Sequence, residues 1–297
     1  GSKLVSALKA RLPKARFTGM GGTKMQEAGV DTLFGIERMG AVGIVEVLGD
    51  FDHYYKVYRT LMREIASRRY DAVILIDYPT LNLRLAKQGK RFGCPVFYFI
   101  SPQVWAWRKG RIRNIRNSVN KMFVILPFEE KMYLDAGVDA EFLGHPFVDL
   151  VHPSRTREES HKKYSLNPEI KTIGLVPGSR MNEVNSLLDV MIQAAQKIRS
   201  ELGSCQFLLP VADSIDPDML RQRLGANPMG IQLVEGEPYD VMNSCDMLII
   251  ASGSATLEAG ILGCPMVIIY KLNPLTYLLA KLLVNAPLVG LVNIVAE

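Results

Sequence analysis

Cysteine is scarce in this chain, with four residues in 297. The four lie far apart in apolar surroundings and form no C-x-x-C pair, which excludes a disulfide framework and a cysteine-based zinc site. The four histidines show no ligand spacing either, so the sequence predicts no metal site. Buried, reduced thiols are the expected state, and this points to the cytoplasm. The cysteines are Cys94, Cys205, Cys245 and Cys264.

Long hydrophobic runs are also missing. No clean apolar stretch reaches about 18 residues, and no signal peptide stands at the N-terminus. Residues 277–296 come closest, but a lysine, a proline and two asparagines interrupt them. We interpret that stretch as a helix, a turn and a strand.

Charge of neither sign dominates, because a net charge of +5 is spread over a chain that is 48% hydrophobic and 22% charged. This composition is typical of a well-packed soluble protein, and the length suits two domains. The positive balance favours anionic partners such as nucleotide sugars, lipid phosphates or nucleic acid. Nucleic acid is the least supported of these, since the basic helix expected at 108–116 has no interleaved aromatic platform.

Seven apolar, β-rich runs recur along the chain, and most are separated by helix-length segments. Continuous rather than alternating apolarity predicts strands covered on both faces, as in the parallel sheets of α/β proteins. The polar stretch 146–171 is the expected junction between domains 1–150 and 151–297. We therefore predict two doubly wound domains facing a cleft, with ligands at the carboxyl ends of the strands. The runs are 72–76, 96–100, 122–126, 172–176, 207–211, 247–250 and 266–270.

Two turns resemble phosphate-binding loops. In one, an apolar run stops at Ser252-Gly253-Ser254 and a helix-like segment with Thr256 and Glu258 follows at once. In the other, Gly178-Ser179-Arg180 follows the run 172–176. Glycine lets the backbone come close, the first N–H groups of the helix point at the anion, and Arg180 adds charge. Two such turns predict a diphosphate ligand.

Asp77 follows the run 72–76, at the end of a strand that should face the cleft. A carboxylate there could take a proton from a hydroxyl group. The alternative is that Asp77 only caps the helix expected near Leu81 or anchors the turn at Pro79.

Trp105 and Trp107 are the two tryptophans of the chain, and both stand in the loop after the run 96–100. They could form a sugar-stacking wall or a small core cluster.

An apolar segment with a lone acidic residue spans 40–49. It could be a buried amphipathic helix, or an apolar rim that rests on a membrane or receives an acyl chain, helped by Lys56, Arg59 and Arg63. Together with the basic helix at 108–116, the rim predicts peripheral contact with an anionic membrane face.

Other short motifs give weaker evidence of function. Asp50-Phe-Asp52 and Asp216-Pro-Asp218 match the D-x-D spacing of metal-dependent sugar transferases, but neither follows a strand, and the second indicates a helix start. The turn Gly19-Met-Gly21-Gly22 lacks the third glycine of a dinucleotide fingerprint, so it can line a cleft without binding NAD.

The motifs together resemble those of the lipid-A-disaccharide synthase family, and they occur in that family's order over almost the whole chain. The matching segments are Gly19-Met-Gly-Gly22, Gly43-Ile-Val-Glu-Val-Leu-Gly49, Ser101-Pro-Gln-Val-Trp-Ala-Trp107, Leu126-Pro-Phe-Glu129, Phe142-Leu-Gly-His-Pro146, Leu175-Val-Pro-Gly-Ser-Arg180 and Ala251-Ser-Gly-Ser-Ala-Thr-Leu-Glu258.

The resemblance implies a GT-B glycosyltransferase of lipid A and lipopolysaccharide biosynthesis that inverts the anomeric centre without a metal or other cofactor. It would join UDP-2,3-diacylglucosamine to 2,3-diacylglucosamine 1-phosphate, giving the β-1,6 disaccharide 1-phosphate and UDP. Such an enzyme would be cytoplasmic and peripheral on the cytoplasmic face of a Gram-negative inner membrane.

The resemblance also assigns residues to the two substrates. The donor would contact Gly178, Ser179, Arg180, Glu183, Ser252, Gly253, Ser254, Ala255, Thr256, Glu258 and Asn293. The acceptor side of the cleft would hold Gly21, Gly22, Glu46, Asn82, Ser101, Gln103, Trp105 and Trp107. Membrane or acyl-chain contact would fall to Val42, Ile44, Val45, Val47 and Leu48.

Three departures from the family pattern affect these expectations. The family often has a second aspartate where this chain has Thr80, so Asp77 becomes the expected general base. A Gly-Glu-Ala-Ser-Gly-Asp turn expected after a first strand and a C-terminal return segment are not found, so both ends look cut, and the activity of the chain as given stays open at this point. Val292 also stands where a proline usually precedes the residue matched by Asn293.

Two rival functions remain open from the sequence. One is a GT-B transferase or epimerase that acts on UDP-N-acetylglucosamine without acyl chains. The other is a two-domain module that binds a nucleotide sugar without chemistry.

Overall fold

The computed structural model describes residues 1–36, 51–105, 110–227, 229–271 and 291–296. The chain divides into two compact units, Gly1–Leu143 and Gly144–Glu297. Each unit is an α/β arrangement in which the strands run parallel. The predicted assignment of the acceptor to the first domain and of the donor to the second stays a prediction.

The first unit has a parallel pair β1–β2 and a four-stranded parallel sheet in the order β3-β4-β5-β6. Its strands are β1 Phe17–Met20, β2 Val30–Phe34, β3 Val73–Ile76, β4 Val96–Phe99, β5 Lys121–Val124 and β6 Ala140–Phe142. Its helices are α1 Ser2–Arg11, α2 Thr23–Glu27, α3 Phe51–Ala66, α4 Pro79–Phe92, α5 Arg111–Ser118 and α6 Pro127–Asp135.

The core of the first unit lies where the four-stranded sheet packs against its helices. Leu81 and Ala86 on α4, Val96 and Tyr98 on β4 and Ile115 on α5 are fully buried. Helix α4 begins with a proline, whose ring suits the first helical turn, and ends at Gly93, whose φ of 76° closes the helix. The basic helix expected at 108–116 is α5, which begins at Arg111.

The second unit has one five-stranded parallel sheet in the order β11-β10-β7-β8-β9. Its strands are β7 Lys171–Val176, β8 Cys205–Val211, β9 Gln232–Glu235, β10 Met247–Ala251 and β11 Met266–Ile269. Its helices are α7 Arg157–Lys163, α8 Met181–Leu202, α9 Pro217–Leu224, α10 Pro238–Ser244, α11 Ser254–Ile261 and α12 Leu291–Ala296. A short 3₁₀ helix, Pro146–Asp149, precedes α7.

The seven predicted strands are all present, within one or two residues of their expected ends. Of the other four strands, β1 precedes the glycine turn at Gly21-Gly22, and the apolar runs do not include β2, β6 and β9. Each lies at the edge of its sheet and carries polar residues, such as Asp31, Glu141 and Gln232. These polar residues interrupt the continuous apolarity that marks a strand covered on both faces, whereas the edge strands β3 and β11 keep it.

The predicted strand at the end of the chain is wrong, because residues Leu291–Ala296 form helix α12. Its valines and isoleucine favour strands intrinsically, and packing overrides that preference. Helix α12 packs on α11 so closely that a Cβ added to Gly260 would lie 2.7 Å from Cγ2 of Val292. Asn293 therefore lies on a helix. The helix and turn expected before it fall within 272–290, outside the described residues.

All four cysteines are buried and free, as predicted. In the described parts of the chain, no helix is long and apolar enough to cross a membrane.

An ion-pair network fastens the segment before β7 to helix α10. Asp240 is buried and accepts hydrogen bonds from Ser154 Oγ at 2.6 Å and from the Arg155 backbone N–H at 2.9 Å. Glu237 accepts from Lys163 Nζ at 2.6 Å, from Tyr164 OH at 2.9 Å and from Arg155 at 2.9 Å. These donors, with Lys163 first among them, lower the pKa of Glu237 to about 2.

We expect Glu237→Gln to lower the thermal stability of the protein at neutral pH and to lose this effect in acid. A carboxyl group whose pKa falls on folding from 4.5 to about 2 stabilises the folded state above its unfolded pKa. That contribution disappears as pH falls through the folded pKa, so the Tm difference from the parent protein should shrink between about pH 5 and pH 2. Tm measured against pH tests this.

Glu169→Gln is the matched control, because Glu169 is an exposed acid in the same segment. This control substitution should leave the dependence of Tm on pH unchanged. A Tm difference for Glu237→Gln that stays constant down to pH 2 would contradict the assigned pKa shift.

Candidate active site

The two predicted phosphate turns lie side by side in the second unit. Strand β10 pairs in parallel with β7, and Ile250 is the partner of Val176. Both strands therefore end at the same edge of the sheet, and each is followed directly by one turn and one helix. Neighbouring carboxyl strand ends are where α/β proteins bind ligands.

The turn after β10 offers free backbone donors. Gly253 is extended, with φ 170°, and caps α11 without a side-chain hydrogen bond. A Cβ at Gly253 would meet nothing within 4 Å, so the backbone is open to a close ligand. As first-turn residues of α11, Ser254 and Ala255 present N–H groups that have no partner within the helix. This turn can accept an anion without rearrangement.

The hydroxyl of Thr256 has a structural partner in this turn. Thr256 is fully buried, and its Oγ1 donates to the Gly253 carbonyl at 2.8 Å. The Ser252 backbone N–H donates to the Ile269 carbonyl at 2.9 Å, which fixes the turn to β11. Thr256 therefore holds the shape of the turn.

The turn after β7 is already filled by a carboxylate of the protein itself. Glu183 Oε2 accepts from the backbone N–H groups of Ser179 at 3.2 Å and Arg180 at 3.3 Å. Gly178 has φ 111°, and a Cβ there would clash with the same oxygen. Only glycine fits this position. The backbone N–H groups of this turn are therefore occupied, and the group it offers to a ligand is the Arg180 side chain.

Arg180 is well placed for that purpose. Its side chain is 64% exposed, and Nη1 lies 3.5 Å from Glu183 Oε1. A guanidinium group held loosely at the end of β7 keeps donors for a second anion.

Glu258 lies on α11, one turn beyond the amides of Ser254 and Ala255. Its Oε1 accepts from Tyr239 OH at 3.2 Å, and burial raises the pKa of Glu258 while that hydrogen bond lowers it. Asn293 is exposed on α12, the helix that packs on α11. The second unit thus holds all eleven predicted donor residues at the two turns or on α8, α11 and α12.

In the first unit, Asp77 ends β3 in a strained turn. Asp77 and Tyr78 have φ of 47° and 41°, in the left-handed region that non-glycine residues rarely adopt. Each such residue costs on the order of 1–3 kcal/mol and is often found at functional sites. The residue that caps α4 is Tyr78, and no side chain caps this helix. The exposed Asp77 carboxylate is therefore not used as a helix cap, which favours the functional interpretation.

The loop after β4 is strained as well. Ile100, a β-branched residue, has φ 65°. Strands β3 and β4 are parallel neighbours, and Ile76 pairs with Phe99. The two strained turns therefore follow the carboxyl ends of adjacent strands. Ser101 is buried and Gln103 is exposed in the second of them. Strain repeated at adjacent strand ends marks this edge as the candidate site of the first unit.

Trp105 packs within the first unit. Its Nε1–H donates to Glu129 Oε1 at 3.1 Å, and its ring meets the edge of Phe128 at 5.4 Å between centroids. Glu129 is buried, burial raises its pKa, and its other oxygen accepts from the Leu126 backbone N–H. Trp105 is half-buried, so this tryptophan fits the core-cluster interpretation better than a free stacking wall.

The glycine turn after β1 is tightly packed. The Gly21 backbone N–H donates to the Phe34 carbonyl at 3.1 Å, and a Cβ at Gly21 would lie 2.6 Å from Met25. Gly22 caps α2. The close contacts of Gly21 give it a packing role in the first unit.

Several predicted residues lie outside the described parts of the chain, as does Asp50 of the first D-x-D pair. These are Val42, Ile44, Val45, Glu46, Val47, Leu48 and Trp107. The second D-x-D pair is a helix start, as expected, because Asp216 accepts from the Asp218 backbone N–H with Pro217 between them. Among described residues, no group of three or more His, Cys, Asp or Glu could hold a metal ion.

Two tyrosine partners of site residues were not predicted from the sequence. Tyr98 and Tyr239 donate to the Asp77 carbonyl and the Glu258 carboxylate, at 2.6 and 3.2 Å. Tyr98 lies in an apolar strand and Tyr239 in a short helix, and neither position gives a sequence signal. Glu129 is different, because it is the buried acid of the Leu126-Pro-Phe-Glu129 motif, which the sequence analysis singled out.

Comparison with known proteins gives the same family as the sequence motifs do. The sequence model of the family described as Lipid-A-disaccharide synthetase matches residues 1–297. The Lipid-A-disaccharide synthase of Syntrophus aciditrophicus is 43% identical over 297 residues, which cover 100% of this chain and 78% of that protein. The Lipid-A-disaccharide synthase of Geobacter metallireducens is 43% identical over 296 residues, covering 100% of this chain and 77% of that protein.

Solved structures show the fold alone. The UDP-GlcNAc 2-epimerase of Neisseria meningitidis, bound to UDP-GlcNAc, matches with a TM-score of 0.56 at 11% identity, over 90% of this chain and 85% of that chain. Arabidopsis thaliana UGT89C1 matches with a TM-score of 0.55 at 12% identity, over 92% and 76%. The predicted GT-B fold is thereby confirmed. With its two strand-end turns and its match over residues 1–297, this chain belongs to the lipid-A-disaccharide synthase family of glycosyltransferases.

Proposed function

We propose that this glycosyltransferase transfers 2,3-diacylglucosamine from UDP-2,3-diacylglucosamine to 2,3-diacylglucosamine 1-phosphate. The observation that supports it most is the family match over the whole chain, combined with two adjacent anion-binding turns in the second unit. The products are a β-1,6-linked disaccharide 1-phosphate and UDP.

The chemical step is a displacement at C1 of the donor sugar. The 6-hydroxyl oxygen of the acceptor forms a bond to C1 while its proton passes to the Asp77 carboxylate. The bond between C1 and the diphosphate oxygen breaks, and UDP leaves with the electron pair. Attack from the side opposite the leaving group inverts the anomeric centre.

The donor diphosphate binds at the two turns in different ways. The N–H groups of Ser254 and Ala255 contact it directly, because they have no partner within α11. Arg180 contributes its guanidinium, since Glu183 occupies the amides of the first turn. As charge builds on the leaving oxygen, these donors stabilise it. Glu258 accepts from the ribose hydroxyls.

Asp77 acts as the general base, because Thr80 replaces the other carboxylate of the family pattern. The carboxylate of Asp77 is exposed and unused by the helix that follows it. Thr80 is exposed too, but a threonine hydroxyl is not a base near neutral pH. The base is therefore assigned to the strained turn.

A comparison of acylated and non-acylated substrates tests the substrate class. UDP release from UDP-2,3-diacylglucosamine, with the acylated 1-phosphate acceptor, should exceed release from UDP-N-acetylglucosamine by at least 10²-fold in kcat/KM, since remote binding energy lowers the barrier. Equal turnover of the two donors would favour the rival transferase or epimerase that acts without acyl chains. UDP binding without any turnover would favour the binding module.

The surface of the first unit suits an anionic membrane. Residues 1–143 carry 23 Lys and Arg against 14 Asp and Glu, whereas residues 144–297 carry 12 against 16. On α3, one exposed face presents Tyr55, Lys56, Arg59 and Arg63, and the Arg59 guanidinium lies 5.6 Å from the centroid of the Tyr55 ring. A helix face with aromatic and basic residues binds lipid headgroups at the interface.

We expect the protein to float with anionic vesicles at low salt and to be released by high salt. Arg59→Glu with Arg63→Glu should weaken vesicle binding at least tenfold, because each basic residue near such a surface contributes about 1 kcal/mol. Lys162→Glu with Lys197→Glu changes the net charge equally on the second unit and should have little effect. A parent protein that stays unbound at low salt, or equal losses in both double variants, would contradict this proposal.

A further inference from the structure

Two buried side chains, Tyr98 and the predicted acceptor-side residue Asn82, donate hydrogen bonds to the backbone of Asp77. Tyr98 OH donates to the Asp77 carbonyl at 2.6 Å, and Asn82 Nδ2 donates to the same oxygen at 2.7 Å. Asn82 Nδ2 also donates to the Ile76 carbonyl at 3.0 Å, at the last residue of β3. One carbonyl oxygen thus accepts two hydrogen bonds inside a turn with two consecutive left-handed residues.

We propose that Tyr98 and Asn82 are positioning residues that aim the Asp77 carboxylate at the acceptor hydroxyl. This inference rests on the proposed role of Asp77 as the base. The orientation of the peptide between Asp77 and Tyr78 is defined by ψ of Asp77 and φ of Tyr78, while the preceding peptide defines φ of Asp77. Tyr98 and Asn82 hold the first of these peptides, because both hydrogen bonds are lost if the Asp77 carbonyl turns away. With both peptides held, the direction of the Asp77 side chain is fixed up to its own rotamer.

The two donors come from separate elements, which makes the support rigid. Tyr98 is fully buried in β4, the strand beside β3, and Asn82 is buried in the first turns of α4. The Asp77 backbone N–H is also fixed, since it donates to the Phe99 carbonyl at 2.9 Å. This third anchor joins β4 to the preceding peptide plane, whose own carbonyl, that of Ile76, accepts from Asn82.

Neither donor can act on the substrate directly. The Tyr98 hydroxyl is enclosed, and burial raises the pKa of Tyr98 far above its ordinary value, so that it stays a neutral hydrogen-bond donor. Asn82 uses its amide N–H groups on backbone carbonyls. Both residues therefore influence the reaction only through the conformation of Asp77.

Tyr98→Phe is the test, because it removes one hydroxyl and leaves the ring in the core. We expect kcat to fall about tenfold while the KM for the donor and the Kd for UDP stay within twofold. Asn82→Ala should also lower kcat without changing UDP affinity. Tyr164→Phe removes a buried hydroxyl that donates to Glu237 in the second unit, so its kcat should match that of the parent protein.

Measuring Asp77→Asn beside Tyr98→Phe separates the proposed role of Asp77 as the base from the proposed positioning role of Tyr98. If Asp77→Asn retains the kcat of the parent, the proposed base is wrong. If Asp77→Asn is impaired but Tyr98→Phe keeps the kcat of the parent, the positioning role alone is overturned. A fall in kcat for Tyr98→Phe that comes with an equal loss of UDP affinity, or that Tyr164→Phe reproduces, would show a general structural effect and overturn it as well.

Discussion

Asp77→Asn is expected to lower kcat about 10³-fold, within the range typical of a lost general base. The change keeps the size of the side chain and removes its ability to take a proton. The affinity for UDP should not change, because the proposed diphosphate contacts lie on the second unit. Steady-state kinetics with the acylated substrates, together with UDP titration by calorimetry, measures both quantities.

Asp71→Asn provides the control for this substitution. Asp71 is an exposed aspartate that precedes β3, at the end of the strand opposite Asp77. It should leave kcat unchanged. If Asp77→Asn keeps more than a tenth of the parent kcat, the base lies elsewhere.

Arg180→Ala should lower kcat/KM for the donor by about 10²–10³-fold, the loss seen when one preorganised donor to a developing negative charge is removed. The exposed guanidinium is the group that the first turn offers to the diphosphate, since Glu183 holds the amides. The Kd for UDP should rise as well, because UDP carries the same diphosphate. The measurement is donor-dependent kinetics with UDP binding by calorimetry.

Arg157→Ala serves as the comparison for Arg180→Ala. Arg157 also forms an ion pair, at 2.9 Å from Asp246, but Asp246 precedes β10 and lies at the opposite edge of the same sheet. The account predicts parent-like affinity for UDP in this variant. Equal losses in the two variants would mean that Arg180 acts through stability and not through the diphosphate.

The continuous strands and the turns that follow them were predictable from the sequence. Inner strands such as β7 and β10 are covered on both faces, so their apolar runs are unbroken. Gly178 and Gly253 then mark the turns, because a position where a ligand or side chain comes close to the backbone requires glycine, and glycine is visible in the sequence. Strands β2, β6 and β9 leave no such trace, because they are short and contain polar residues.

Contacts between distant residues were not predictable. Glu183 was expected to contact the donor, but its hydrogen bonds to Ser179 and Arg180 depend on the exact geometry of the turn. The Tyr98 contact to Asp77 joins positions on neighbouring strands, and nothing in an apolar strand marks one tyrosine as a donor. Helix α12 was mispredicted for a related reason, since packing on Gly260 determined its conformation more than intrinsic preference did.

The proposed transfer can be followed by incubating the purified protein with UDP-2,3-diacylglucosamine and 2,3-diacylglucosamine 1-phosphate and quantifying UDP and the lipid product together by mass spectrometry. We expect one disaccharide 1-phosphate for each UDP released, and neither product when the acceptor is omitted. UDP released without disaccharide, or UDP bound with neither product formed, would contradict it.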